Sequence, residues 1–309
     1  MILTAKNLTK RFGNQIAING VNISIEQGCF YSLLGPNGAG KSTTIHLLST
    51  LLKADSGEII IDNKKVGAEN EKIKPFLGIV PQEISLYEEL TALENLQFWG
   101  KMYGVEKSIL SERINQQLKD FGLLDRKNDK VKTYSGGMKR RINIAAALLH
   151  QPKIVFMDEP TVGIDPQSRN NIYDALQRMK NEGITILYTT HYIEEAERFS
   201  DKVGIIDNGK IIAEGTVDEL KKHSKVKEEI EIHVSLLNDS EKKSLMEKYF
   251  DLVSFKNNCI KIKTENVKTD LMSVLNFCTS LSLEIEQVEI QKANLEKVFL
   301  SLTGKTLRD

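Results

Sequence analysis

Four short stretches of this chain carry residues whose types and placement suit phosphate chemistry. Gly35, Pro36, Asn37, Gly38, Ala39, Gly40, Lys41, Ser42 and Thr43 spell "GPNGAGKST", a match to G-x-x-x-x-G-K-[ST] set between the strand-like run "FYSLL" and the helix-like run "STTIHLLSTLL". Glycines permit backbone angles that aim successive N–H groups at one point, and a helix start adds the positive end of its dipole. An anion is what such a loop holds. Lys41 is placed to reach the β- and γ-phosphates of a nucleotide, and the Ser42 hydroxyl to hold a bridging magnesium ion, Mg2+. A dinucleotide fingerprint spaces its glycines as G-x-G-x-x-G and lacks the Lys-Ser that follows here, so that reading is disfavoured.

A nucleoside triphosphatase also needs a carboxylate for the metal and a group that positions or polarises water. The apolar run in "KIVFMDEPT" ends in Asp158, the expected metal-side carboxylate, and Glu159, the expected general base. A second strand-like run, "ITILYTT", ends at His191, and "LGIVPQ" places Gln82 just past a third. A lone histidine is more often a satisfied surface or core residue than a catalytic one, and a lone glutamine is as readily surface as ligand. Their places at strand ends, where open α/β sheets present ligand-binding groups, raise both.

The elements that must position these residues follow from pattern. Runs such as "CFYSLL", "GEIIID", "LGIV", "KIVFMD", "ITILYTT" and "DKVGIID" alternate with helical stretches up to about residue 215. That rhythm predicts an α/β domain with a mainly parallel sheet over residues 1–220. The charge-dense "KKHSKVKEE" reads as a solvated linker, 221–228. Beyond it, "EIEIHVSL", "LVSF", "CIKIKT" and "SLEIEQVEI" interleave with two helical stretches, which predicts a small α+β domain over 229–309 in the order β-α-β-β-α-β, ferredoxin-like, with a terminal helix in "ANLEKVFLSLTG". No internal repeat or low-complexity tract interrupts this order.

Composition narrows the class further. Acidic and basic residues balance at 42 each, so no nucleic-acid partner is expected. Cys29, Cys259 and Cys278 are few and far apart, which suits a reducing compartment and neither a disulfide framework nor a zinc site. "MILTAKNLTKRFG" lacks the apolar core of a signal peptide, and no run approaches the roughly 18 apolar residues of a membrane span. A cytoplasmic protein that works beside a membrane, not through it, is expected.

Taken together, the motifs resemble those of the ATP-binding cassette (ABC) ATPases across the whole first domain. Walker A "GPNGAGKST", the glutamine loop at Gln82, "YSGGM" at Tyr134 to Met138, Walker B "IVFMDE", the D-loop "GIDP" and the switch histidine His191 stand in the family's order. The resemblance implies a P-loop fold with a helical subdomain at about 85–150. It also implies ATP and Mg2+ as ligands, with Phe12 of "KRFG" stacked on adenine. Ser135, Gly136 and Gly137 would contact the γ-phosphate held by another subunit, Asp165 would lie near the seam, and Gln82 would join the metal or water. The usual signature is Leu-Ser-Gly-Gly-Gln, so Tyr134 and Met138 depart at its outer positions while its phosphate-facing centre stays. With one cassette per chain, the resemblance implies a homodimer or a pair with a second cassette, on an integral-membrane permease at the inner face of the membrane.

About 90 residues separate Walker A from "YSGGM", too few for the coiled coil of chromosome-maintenance relatives, and the translation-factor branch carries two cassettes per chain. The tail "LEKVFLSLTGKTLRD" is similar to that of daunorubicin-resistance-type cassettes, which serve exporters of drugs, peptide antibiotics or lipid-like cargo with separate permeases. The alternative is a soluble ABC ATPase switch acting on an intracellular complex. Leu295, Val298, Phe299 and Leu302 fall at helical spacing, so the tail is also simply a helix packed on its own domain.

Overall fold

Period-two alternation is hard to see in the first 25 residues, yet they form two long antiparallel strands, β1 (Leu3–Phe12) and β2 (Gln15–Ile25). Register shifts beside Leu8 and between Lys10 and Arg11 break the alternation, which hides a strand from sequence reading. The computed structural model describes residues 1–223, 227–291 and 294–304. The chain divides into one unit from Met1 to Val217 and a second that begins at Asp218.

In the first unit β3 (Phe30–Leu34) leads into α1 (Lys41–Leu48), followed by β4 (Ser56–Ile61), β5 (Lys64–Lys65), α2 (Asn70–Ile73) and β6 (Leu77–Val80). The run "GEIIID", expected within the parallel sheet, is β4 and pairs instead with β1 in an antiparallel sheet ordered β2-β1-β4-β5. Only Ile59 and Ile61 of β4 are buried, and one-faced burial belongs to an antiparallel sheet. Three helices then pack together: α3 (Ala92–Met102), α4 (Lys107–Asp120) and α5 (Gly136–Leu148). Thr91 and Glu94 close a reciprocal capping box at the start of α3, and Leu96, Leu110, Ile114, Leu118 and Ile142 fill the space between the helices.

The remaining elements of this unit are β7 (Ile154–Asp158), α6 (Pro166–Asn181), β8 (Thr185–Thr190), α7 (Ile193–Phe199), β9 (Lys202–Asp207) and β10 (Lys210–Gly215). The central sheet runs β10-β9-β3-β8-β7-β6, parallel except for β10 at its edge. Every residue of β3, β7 and β8 is buried, as in a sheet covered on both faces. Leu34 pairs with Thr190 and Asp158 with Thr189, so the loop at Gly35, the pair Asp158–Glu159 and His191 leave neighbouring strands at the same end of the sheet.

The second unit opens within α8 (Val217–His223) and continues with β11 (Glu228–Val234), α9 (Asp239–Tyr249), β12 (Val253–Lys256), β13 (Cys259–Thr264), α10 (Val267–Ser280), β14 (Ile285–Gln291) and α11 (Leu295–Thr303). Its sheet is ordered β12-β13-β11-β14 with every neighbour antiparallel. Ile230, Ile232, Ile260 and Ile262 pack with Leu245 of α9 and Val274 of α10, which puts the core on one face. The expected linker is structured at both ends: Lys221 and Lys222 lie in α8 and Glu228 opens β11, while 224–226 lie outside the described residues. In α11 Leu295, Val298 and Phe299 are buried, Asn294 caps the first turn and the exposed face carries Leu302. Among the described residues no helix is long and apolar enough to cross a membrane.

Candidate nucleotide site

A cavity of about 450 Å³ opens over the start of α1, lined by Asn37, Gly38, Gly40, Lys41, Ser42 and Thr43, with Gln82, Glu159 and Phe12 at its sides. Its glycines are enforced by packing. A Cβ on Gly35 would stand 2.3 Å from the Ile206 carbonyl oxygen, and one on Gly40, at φ 106°, would stand 2.8 Å from that of Ala17. Ala39 is buried, and its carbonyl accepts from Gly209 N at 2.9 Å, which ties the loop to the β9–β10 turn. Ile16, Ala17, Asn208 and Gly209 also line the cavity, and no motif marks them.

Lys41 is only 4 % exposed, and its ammonium donates to Gly35 O at 2.8 Å and Pro36 O at 3.0 Å and pairs with Glu159 Oε1 at 2.9 Å. All three of its donors are engaged. Glu159 sits at φ 43°, in the left-handed region, strain of order 1–3 kcal/mol that the surroundings must hold. Thr189 supplies that hold: its Oγ1 accepts from Glu159 N at 3.0 Å and donates to Asp158 Oδ1 at 2.7 Å. His191 Nδ1 stands 3.3 Å from Glu159 Oε2 without forming a hydrogen bond to it. Lysine, glutamate and histidine therefore form one buried cluster at the mouth of the loop.

Gln82 is exposed at the cavity edge, and Arg140 of α5, itself buried, fixes its backbone: the guanidinium donates to Pro81 O at 2.6 Å and to Gln82 O. Phe12, 51 % exposed, ends β1 beside the cavity, with a face free of core packing. Ser135, Gly136, Gly137 and Asp165 do not line this cavity. Ser135 caps α5, accepting from Met138 N at 3.2 Å; Ser135 and Gly136 are exposed, and a Cβ on Gly137 would meet Ser168 Cβ at 2.2 Å. Asp165 caps α6, and the Ser168 N–H that it accepts holds its carboxyl below the usual range.

One residue of this region escapes motif reading altogether. Glu195 of α7 is 1 % exposed and accepts four hydroxyls: Thr161 at 2.6 Å, Tyr173 at 2.9 Å, Tyr188 at 2.9 Å and Thr190 at 2.6 Å. Thr161 follows Glu159 by two positions and Thr190 precedes His191, so this carboxylate ties the chain just after Glu159 and just before His191 to α6 and α7. Burial, then the Glu195 charge, pushes the Tyr173 and Tyr188 phenols up. Glu195→Ala strands several buried hydroxyls at about 1–3 kcal/mol each at most, and a Tm lower by roughly 5–10 °C is expected in thermal unfolding. A Tm within about 1 °C of wild type, on that same scale, would show the network to be dispensable.

The profile of the ABC transporter family matches residues 18–162. The linearmycin resistance ATP-binding protein LnrL of Bacillus subtilis is 44 % identical over 321 residues, covering all of both chains. The chain belongs to the ABC transporter family, as an ATP-binding subunit. The daunorubicin/doxorubicin resistance ATP-binding protein DrrA of Streptomyces peucetius is 34 % identical over 99 % of this chain and 94 % of its own. The Nod factor export ATP-binding protein I of Ralstonia nicotianae is 33 % identical over 100 % and 95 %. Among solved structures, an ATP-binding subunit of an ABC transporter aligns with TM-score 0.66 at 32 % identity, over 72 % of this chain and 93 % of its own. A dimeric post-hydrolysis state of the cassette MJ0796 bound to ADP and Pi aligns with TM-score 0.63 at 31 % identity, over 69 % and 98 %. The subunit is thus an ABC ATPase, with the P-loop α/β fold expected from its sequence.

Proposed function

We propose that this ATPase works in a site completed by a second cassette, with Mg2+ bound beside the phosphates, and that its cycle drives an exporter whose permease is a separate membrane protein. The observation that carries the catalytic part is the buried cluster of Lys41, Glu159 and His191 at the phosphate loop. Phe12 offers its exposed face to adenine. Ser42, Asp158 and the Gln82 amide are hard oxygen donors of the kind Mg2+ takes, and the metal when bound would neutralise phosphate charge.

As arranged, Lys41 occupies the carboxylate that is to serve as base. A γ-phosphate brings more negative charge to the ammonium than one carboxylate does, so Lys41 turns toward it and releases Glu159. Glu159 then accepts the proton of the attacking water, and His191 follows the γ-phosphate at the strand end beside it. Nucleotide arrival and activation of the base become one event.

Ser135 and Gly136 are exposed at the start of the 13-residue α5, outside the cavity, so this anion-binding helix end is open to another chain. An isologous two-fold pair sets Ser135 of one chain against Lys41 of the other, with Asp165 at the seam; pairing with a different cassette satisfies the same geometry. Two relatives that span the chain are named for drug or antibiotic resistance and one for Nod factor export, which supports an exporter for drug, peptide-antibiotic or lipid-like cargo. A cavity of about 600 Å³ flanked by Leu51 and Met102, 60 % and 67 % exposed, offers apolar surface to a permease segment at the cytoplasmic membrane face. Tagged protein isolated from membranes is expected to bring down a multi-span partner. Recovery with ribosomes or DNA alone would replace the exporter with an intracellular ATPase switch.

A further inference from the structure

The face of the second unit's sheet opposite Ile230 and Ile232 holds three residues of metal-ligating type that neither the nucleotide site nor the helix-facing core uses. Ile230, Ile232 and Val234 of β11 turn toward the helices, so the alternate residues Glu231 and His233 lie on the opposite face. Cys259 of β13 pairs directly across from His233, and Glu289 of β14 lies across from Glu231. One ligand atom from each of Glu231, His233 and Cys259 lies within 4.8 Å of the other two. A four-coordinate zinc with ligand bonds of about 2.3 Å to sulfur and about 2.0 Å to nitrogen sets those two atoms about 3.5 Å apart. Cys259 Sγ and His233 Nε2 are 3.8 Å apart.

We infer that Glu231, His233 and Cys259 form a site for a borderline-soft divalent cation of the zinc type, which pins β11 to β13. Thiolate and imidazole select such ions over Mg2+ and Ca2+, and three protein ligands leave the fourth position to water. Glu231 and Cys259 are 9 % and 6 % exposed, so their ligand atoms are withdrawn from bulk water. Lys261 donates to Glu231 Oε1 at 2.6 Å, and a carboxylate has a second oxygen for the metal, so the ion pair and the site coexist. The Cys259–His233 register and the Glu231 spacing bring together residues that stand 28 positions apart in sequence, which explains why cysteine spacing alone argued against a zinc site.

The test uses the full chain, stripped with a chelator, kept reduced and titrated with Co2+ in the presence of excess Mg2+. One Co2+ per chain is expected to give a thiolate-to-cobalt charge-transfer band and the strong visible bands of a four-coordinate ion, both abolished by added Zn2+. Cys259→Ser should remove the charge-transfer band, and His233→Asn should weaken binding at least ~10-fold. Cys278→Ser and Cys29→Ser should leave both signals intact, and basal ATP turnover should not change in Cys259→Ser. Absence of the bands in the wild-type chain, or their persistence in Cys259→Ser, overturns the site. If Cys259→Ser does not fold, His233→Asn and Glu231→Gln decide on the same spectrum, because unchanged affinity in both is equally fatal.

Discussion

Glu159→Gln is expected to bind ATP as wild type does while phosphate release falls by about 10²- to 10⁴-fold, the range that a positioned general base contributes. The substitution keeps the shape of the side chain, so Lys41 retains an oxygen partner and the left-handed backbone at position 159 stays held by Thr189. What it removes is the ability to take a proton from water. Binding and chemistry then separate: the protein loads ATP and stalls, and a dimer should accumulate with ATP on gel filtration. Turnover within a few-fold of wild type would show that Glu159 is not the base and leave its buried pairing with Lys41 as a structural contact only.

Lys41→Ala should act on binding itself. Truncating one partner of a buried charge pair costs about 2–5 kcal/mol, so ATP affinity is expected to fall roughly 30-fold or more in a titration with a fluorescent nucleotide. The geometry adds a second effect. Glu159 is 6 % exposed, and without the ammonium its carboxylate is buried uncompensated, a destabilisation of about 3–5 kcal/mol. Adding Glu159→Gln to Lys41→Ala removes that stranded charge, so the double variant should melt above Lys41→Ala while its ATP affinity stays as low. Undiminished ATP affinity in Lys41→Ala would contradict the phosphate-cradle reading; a double variant no more stable than the single one would contradict the charge pairing.

Some of this site was legible before any coordinates because its logic is local. The phosphate loop is nine consecutive residues whose spacing alone dictates a turn from strand to helix, and Asp158, Glu159 and His191 announce themselves by ending apolar runs. The signature helix was equally local, since Ser135 caps α5 within its own turn. The C-terminal β-α-β-β-α-β order was also readable, because its strands alternate cleanly about a one-faced core. The N-terminal pair β1–β2 was not, since its bulges break the period of two, and β4 joined a different sheet because only one of its faces is buried.

The chain's own sequence determined which residues form the glycine-rich loop and the ends of the strands beside it, and in what order, because backbone conformation over a few residues decides that. Tertiary structure alone decided what holds them. Thr189 reaches back about 30 residues to the Asp158 carboxylate and the Glu159 backbone N–H, Arg140 spans 58 to the Gln82 carbonyl, and Glu195 gathers hydroxyls from α6, β8 and the loop after β7. These partners carry no spacing rule, since hydrogen bonds between elements depend on sheet order and helix packing. The same holds for Lys41 against Glu159, 118 positions apart (159 − 41) and 2.9 Å in space: the parallel pairing of β3 with β8 and β8 with β7 sets them side by side, and nothing in the order of residues does.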